Sequence, residues 1–269
     1  MKILVTGASS LAASRLVPLL IEEGHDVTTT SRRVVHSPRH IACDLSAGAN
    51  ALPDEPFDSV LHFAAYVPQN ERASTWEECA PTNVGGTIHL LRWAEGRAKR
   101  FVLASSLAVY GGEESNVQPA TDYAITKYAQ EQLLAAFCVP RALPLTILRL
   151  GYVYGPGIAD YRAVKKLLQS VRDGQPIRLT APNADLHLIH TDDVAHIANQ
   201  LLLTDGTFNV VMSEPVTVRM YVDAAMDVGR RNVDVIEEQD TPTPHYSAEG
   251  LLALGIRPRV TLHEGIASL

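Results

Sequence analysis

Cysteine is scarce in this 269-residue chain, and aromatic residues make up only 6% of it. Cys43, Cys79 and Cys138 are odd in number and widely spaced, a pattern that fits neither a disulfide framework nor a CxxC metal site. All three are expected to be reduced packing residues, and no metal is expected. Long apolar runs are missing too, so no segment reaches the length that crosses a bilayer. Only Ile3-Leu4-Val5 lie between Lys2 and the start of a turn, too short for the apolar region of a signal peptide. The expectation is a cytoplasmic protein without membrane contact. Positive charge is in deficit, with 23 Lys and Arg against 30 Asp and Glu, a net charge of -7. Nucleic acid is therefore not an expected partner, since phosphate binding needs a basic face. With 46% hydrophobic and 20% charged residues, the composition is that of an ordinary soluble enzyme.

What is present is rhythm. KILVT, ASRLVPLLIEEG, HDVTTT, HIACD, SVLHFAA, TNVGGTIHLLRWAEG and RFVLASS alternate short β-rich runs with helical patterns. That alternation predicts an α/β fold, a doubly wound parallel sheet of Rossmann type. A helix is expected from Asp122 through YAITKYAQEQLLAAF, then a buried strand LTILRL, a helix over AVKKLLQSVRDG, another over IHTDDVAHIANQLLL and a late strand TFNVV. No internal repeat interrupts the pattern.

Glycine is short where a dinucleotide site would want it most. The loop TGASSLAA has the place of a nucleotide-binding turn, in which three glycines serve the tight turn, the approach of the pyrophosphate and helix packing. Gly7 keeps the first role, whereas Ser10 and Ala13 stand at the second and third. Serine is small and carries a hydroxyl that a phosphate would accept from; alanine adds one methyl to a packing contact. The loop alone does not decide between a working site and a relic. After the second strand a carboxylate would select NAD and an arginine NADP. The chain reads Ser31-Arg32-Arg33 there, which favours NADP, although two arginines after a strand also describe a solvated turn.

Tyr123 and Lys127 are four apart in YAITK, on one face of the predicted helix, so the ammonium can lie beside the phenol. A free phenol, with a pKa of about 10, is a poor acid-base group at neutral pH, and a neighbouring cation favours its phenolate. The strand FVLASS ends in Ser105-Ser106, whose hydroxyls would polarise a carbonyl oxygen.

These stretches resemble the extended short-chain dehydrogenase/reductases, the family of nucleotide-sugar epimerases, dehydratases and 4-ketoreductases. VTGAS, HIACDL, VLHFAA, TNVGGT, SSLAVYG, YAITK, LRLGYVYGP, IHTDDVA, FNVVMSEPVTV and LGIRPRVTLHEGI carry the likeness over nearly the whole chain. The resemblance implies a nicotinamide cofactor, NADP or alternatively NAD, held by Gly7, Ser9, Ser10, Leu11, Ser31, Arg32, Arg33, Asp44, Leu45, Ala64, Ala65, Asn83, Tyr123 and Lys127. It implies Ser106, Tyr123 and Lys127 as catalytic, with Tyr123 exchanging the proton of the reacting oxygen, Lys127 also on the ribose hydroxyls, and Ser106 orienting the substrate. It implies a Rossmann part over 1–154, rejoined by about 188–211, and a smaller C-terminal substrate-binding part from 155–187 and 212–269. It also implies a homodimer, with TIHLLRWA and KYAQEQLLAAF as candidate interface helices.

The chain departs from the family at substrate positions. Tyr152 replaces an asparagine before VYGP, Leu186-His187 replace an Arg-Asp pair, and Leu107 stands where a dehydratase has an acid. Tyr152 and His187 are candidate substrate contacts; His190 reads as a residue that hydrogen-bonds within the fold, and Arg149 as an ion-pair partner. Three readings follow. The first is an NADP-dependent ketoreductase or dehydrogenase acting on a secondary alcohol or ketone of a small sugar-like or specialised-metabolite substrate. The second is an NAD-retaining nucleotide-sugar epimerase. The third, of another class, is a non-catalytic nucleotide-sensing protein.

Overall fold

The computed structural model describes residues 1–238 and 243–269; Thr241 and Pro242 of the tail segment TPTPHY lie outside them. In chain order its elements begin β1 (Lys2–Thr6), α1 (Leu16–Glu22), β2 (Asp26–Ser31), β3 (His40–Ala42) and β4 (Ser59–His62). They continue with α2 (Trp76–Ala80), α3 (Thr87–Ala94), β5 (Phe101–Ser106), α4 (Asp122–Cys138), β6 (Leu145–Leu150) and β7 (Tyr152–Tyr154). The later part holds α5 (Ala163–Asp173), β8 (Ile177–Leu179), β9 (Leu188–His190), α6 (Thr191–Gln200), β10 (Gly206–Val210), α7 (Val218–Gly229), β11 (Val235–Glu237), α8 (Glu249–Leu252) and α9 (Leu262–Ala267).

Seven strands form one sheet in the order β10-β6-β5-β4-β1-β2-β3, and every pairing in it is parallel. Parallel strands covered on both faces need apolar residues at both phases of the two-residue period. β1 meets that demand: Ile3 and Val5 pack with Leu16, Leu20, Leu148 and Ile197 on one face, while Leu4 packs with Val60, Leu90, Phe101 and Leu134 on the other. The α/β expectation from the alternating runs therefore holds. From β1 the chain winds outward through β2 and β3, then crosses back to place β4 on the other side of β1. Such a reversal opens a crevice at the carboxyl ends of the two strands, where ligands of this architecture bind.

Of residues 188–211, β10 joins the sheet beside β6 and α6 covers it next to α1, whereas β9 pairs with β7 in a separate two-stranded sheet. The remaining layer is built from β8 paired with β11 and from α5, α7 and α9. Val164, Leu168 and Val171 lie on one face of α5 at helical spacing and meet Ile177, Tyr221, Val222 and Ile266 in a second core. The three cysteines are free thiols. No helix among the described residues is long and apolar enough to cross a membrane.

Candidate active site

The loop after β1 sits at the mouth of the crevice. Gly7 has φ +68, and a Cβ there would lie 2.4 Å from the Ala64 backbone nitrogen and 2.5 Å from the Phe63 carbonyl carbon. Only glycine lets the turn press against the end of β4. The missing second and third glycines each have a structural replacement. Ser10 Oγ accepts from the Ala13 N–H at 3.2 Å, closing the turn while keeping its own proton for another partner. The Ala13 methyl is fully buried in the core beside α1. One consequence was not legible in the loop sequence: residues 7–15 run as successive turns, and α1 begins only at Leu16, later than the apolar pattern suggests.

At the end of β2, Arg32 and Arg33 are exposed, and Arg33 Nη2 donates to the Ser9 carbonyl at 3.2 Å. Ser31 Oγ donates to the Arg33 carbonyl at 2.5 Å, shaping the turn that carries both arginines. Asp44 follows β3, and the Ser46 hydroxyl at 2.7 Å holds its carboxyl below the usual range, with the Ser46 N–H and the Arg32 charge adding to the effect. Leu45 is buried and packs on Gly86. Ala64 and Ala65 follow β4 after one residue, Phe63. Asn83 is fully buried, and its amide is spent within the fold: Oδ1 accepts from the Tyr66 N–H at 2.7 Å, and Nδ2 donates to the Tyr66 carbonyl and to Thr126 Oγ1. It therefore fixes the segment after β4 against α4.

Ser106 closes β5, and its Oγ accepts from the Ala108 N–H at 3.2 Å. Tyr123 enters the first turn of α4, which Thr121 caps by accepting from the Ala124 N–H, and the Tyr123 N–H donates to Ser74 Oγ at 3.2 Å. Burial pushes the Tyr123 phenol well above the usual range and the Glu71 carboxylate adds to the rise, while the neighbouring Ser106 hydroxyl opposes it. Lys127 corrects the expectation from its spacing. Its Nζ donates to the Ala104 carbonyl at 2.7 Å and to Gln130 Oε1 at 2.5 Å rather than to the phenol, so the resting phenol is not biased toward phenolate by a touching ammonium. The physical reason is burial: Lys127 is 2% exposed, and a desolvated ammonium takes the nearest fixed acceptors.

α4 is clamped to the sheet by a buried ion pair. Arg149 donates to both carboxylate oxygens of Glu131 at 3.0 and 2.7 Å, and Ser105 Oγ adds a third bond at 2.6 Å. The two side chains are 11% and 2% exposed. Glu131→Gln is expected to cost about 3–5 kcal/mol, because it leaves the arginine buried without its counter-charge. Urea unfolding with a paired Arg149→Met control measures it.

The substrate candidates separate. The Tyr152 ring is half-buried with the Arg162 guanidinium 4.6 Å from its centre. His187 adopts φ +46, its Nε2 lies 2.8 Å from the Pro244 carbonyl, and its ring is 4.6 Å from that of Tyr246, which stacks on Tyr110. His187 thus ties the C-terminal segment down. His190 caps α6 by accepting from the Asp192 N–H and contacts Ser268, as its sequence context suggested. Sequence reading missed Glu71, the first residue of a single 3-10 turn over Glu71–Ala73, whose carboxyl accepts from Thr121 Oγ1 at 3.2 Å. The residue is exposed as a whole, yet local burial raises its carboxyl pKa.

The model of the NAD dependent epimerase/dehydratase family matches residues 3–210. The chain belongs to that family. This enzyme of the extended short-chain dehydrogenase/reductase type is 25% identical to the probable UDP-glucuronate 4-epimerase of Rhizobium meliloti (strain 1021), over 99% of its own chain and 95% of the relative. It superposes on MoeE5 in complex with UDP-glucose and NAD with a TM-score of 0.84 at 25% identity, over 100% and 97% of the two chains. It shares its fold with RMD from Pseudomonas aeruginosa complexed with NADPH, TM-score 0.81 at 20% identity, covering 100% and 98%. The epimerase/dehydratase family member thus carries an oxidoreductase site for a nicotinamide dinucleotide, and the non-catalytic reading falls. Its residues fit that group: the Gly7 cradle that a Cβ would fill, the free proton of Ser10, and a Lys127 ammonium with one N–H uncommitted.

Proposed function

We propose that this enzyme oxidises a secondary carbinol of a small sugar-like substrate and re-reduces the same carbon, inverting it, as an epimerase that keeps its cofactor. The observation that carries the reading is the meeting of Ser106 and Tyr123 at the carboxyl end of β5, with Lys127 one helical turn on and the Gly7 cradle at the end of β1, one strand beyond β4. The bound nicotinamide supplies the hydride acceptor and donor. Tyr123 takes the carbinol proton as the carbonyl forms and returns it on reduction, and Ser106 orients that oxygen. Lys127 holds the ribose side with its remaining N–H. The relatives named for UDP-sugars support this over a net reductase. Tyr152 and Leu186-His187 replace the polar contacts on which the resemblance bases diphosphate binding, so the reading commits to the carbinol and not to a particular nucleotide. Residues 155–187 and 212–269 supply the substrate side of the cleft. The same reading carries a cytoplasmic homodimer; of the two helices expected at its interface, α3 packs Leu90, Leu91 and Ala94 into the core.

The test is a panel of UDP- and dTDP-hexoses and hexuronates given to the purified enzyme without added reductant, with products read by NMR. Inversion at one carbon with no net nicotinamide consumption supports the epimerase; product formed only with stoichiometric NADPH consumption contradicts it. That second outcome belongs to the NADP-dependent ketoreductase, which the exposed Arg32 and Arg33 beside Ser9 favour. In that reading the double variant Arg32→Ala/Arg33→Ala weakens NADPH binding about tenfold or more, since charge-assisted contacts to a phosphate are lost, and leaves NADH binding unchanged. Calorimetric titration with both nucleotides measures it.

A further inference from the structure

The catalytic residues do not exhaust the buried polar chemistry around Lys127. Behind it, four side chains from four elements form one hydrogen-bonded chain, and Thr6, His62, Thr87 and Gln130 are each at most 1% exposed. Thr6 Oγ1 lies 2.7 Å from His62 Nδ1, His62 Nε2 lies 2.9 Å from Thr87 Oγ1, and Gln130 Nε2 lies 2.9 Å from the same hydroxyl. Gln130 Oε1 then meets Lys127 Nζ.

Counting protons orients every member. The single proton of Thr87 goes to the Asn83 carbonyl at 2.7 Å, so its oxygen must accept from the ring and from the amide. His62 therefore carries its proton on Nε2 and accepts from Thr6 on Nδ1. The ring stays neutral, since burial and then the Lys127 charge pull it down to about 3. The two donor nitrogens of His62 and Gln130 lie 3.2 Å apart because both aim at one oxygen. With Nε2 committed, the Gln130 amide cannot flip, and its carbonyl must face the ammonium.

We infer that Gln130 is a positioning residue for Lys127: its locked carbonyl holds the ammonium against the Ala104 carbonyl and leaves one N–H for the cofactor ribose or the Tyr123 side. The chain runs back to Thr6, the residue before Gly7, so the lysine is registered to the strand that carries the cofactor turn. Gln130 acts through Lys127 and exchanges no proton itself. The role assigned to that last N–H rests on the function proposed above; the positioning of the ammonium does not.

Gln130 also sets how firmly Lys127 keeps its charge. Burial brings the ammonium down to about 7, opposed by Glu131, so the loss or gain of one acceptor moves it readily. The groups facing it are Tyr123 and Glu131 on its own helix and His62 from β4, with Arg149 of β6 behind Glu131.

The experiment is an NMR titration of lysine Nζ and Cε in labelled full-length protein, for the wild type, Gln130→Glu and Gln130→Met, with an NADH titration of each across the same pH range. Gln130→Glu is expected to raise the Lys127 midpoint by about one pH unit and Gln130→Met to lower it by about as much, with the pH at which NADH affinity falls moving in the same directions. Midpoints unmoved in both folded variants overturn the positioning role. If Gln130→Glu fails to fold, Gln130→Met alone decides by the downward shift. Midpoints that move while no variant, the wild type included, binds NADH uphold the positioning and count against the proposed function alone. NADH binding with unmoved midpoints does the reverse.

Discussion

Tyr123→Phe is expected to lower turnover by about two to four orders of magnitude while leaving the fold and cofactor binding intact. The change removes one oxygen, and the ring keeps its place in the first turn of α4, where the Thr121 cap and the backbone bond to Ser74 are untouched. What is lost is the group proposed to exchange the carbinol proton. The phenol is an unpromising acid-base group in the resting state, because burial and the Glu71 carboxylate both favour its neutral form. Its work therefore depends on positive charge brought near it, from Lys127 and from the oxidised nicotinamide when that is bound. Single-turnover kinetics separate the hydride step from binding. Wild-type turnover in the phenylalanine variant would remove Tyr123 from the mechanism, and Glu71, whose carboxylate holds the phenol in its neutral form, would become the next group to replace.

Gly7→Ala is expected to abolish cofactor binding and to destabilise the protein by several kcal/mol. Two penalties combine. A left-handed backbone costs an L-residue roughly 1–2 kcal/mol, and the new methyl would occupy a point 2.4 Å from the Ala64 backbone, where overpacking costs about 1–3 kcal/mol more. The strand end it strikes is rigid main chain, so relief must come from moving the loop proposed to cradle the pyrophosphate. Gly24→Ala separates the two contributions. Gly24 has φ +78, and a methyl there would meet nothing within 4 Å, so only the backbone penalty applies. Urea unfolding of the two variants, together with nucleotide titration, should show a larger loss at Gly7 and a binding defect confined to it.

The parts of this site that were legible in the sequence are those whose geometry is local. A helix repeats every 3.6 residues, so the YAITK spacing alone puts Tyr123 and Lys127 on one face; a strand alternates, so KILVT alone predicts a buried β1. The direction of the Lys127 ammonium was not legible. Its acceptors are a carbonyl on β5 and the Gln130 amide, and the latter is aimed by His62 and Thr87 from β4 and α3. The i+3 spacing of Gln130 placed it near Lys127, but nothing local gave it a partner on its other side. The loop misled in the opposite sense. Ser10 and Ala13 look like decay against a three-glycine standard, yet one closes a turn and the other fills the core. β7, β8, β9 and β11 escaped notice because three-residue strands outside the alternating strand-helix run carry too little period to separate from loop. Glu71 escaped because a carboxylate in a polar connection is ordinary until α4 packs against it.

Fluorescence and calorimetric titration of the purified protein with NADH and NADPH, preceded by a check for cofactor carried through purification, bears on everything above. One nucleotide per chain should bind saturably, or already be present, with affinity kept in Tyr123→Phe and lost in Gly7→Ala. If neither nucleotide binds and none is carried, the crevice between β1 and β4 is not a cofactor site, and the proton transfer assigned to Tyr123 has no hydride step to accompany.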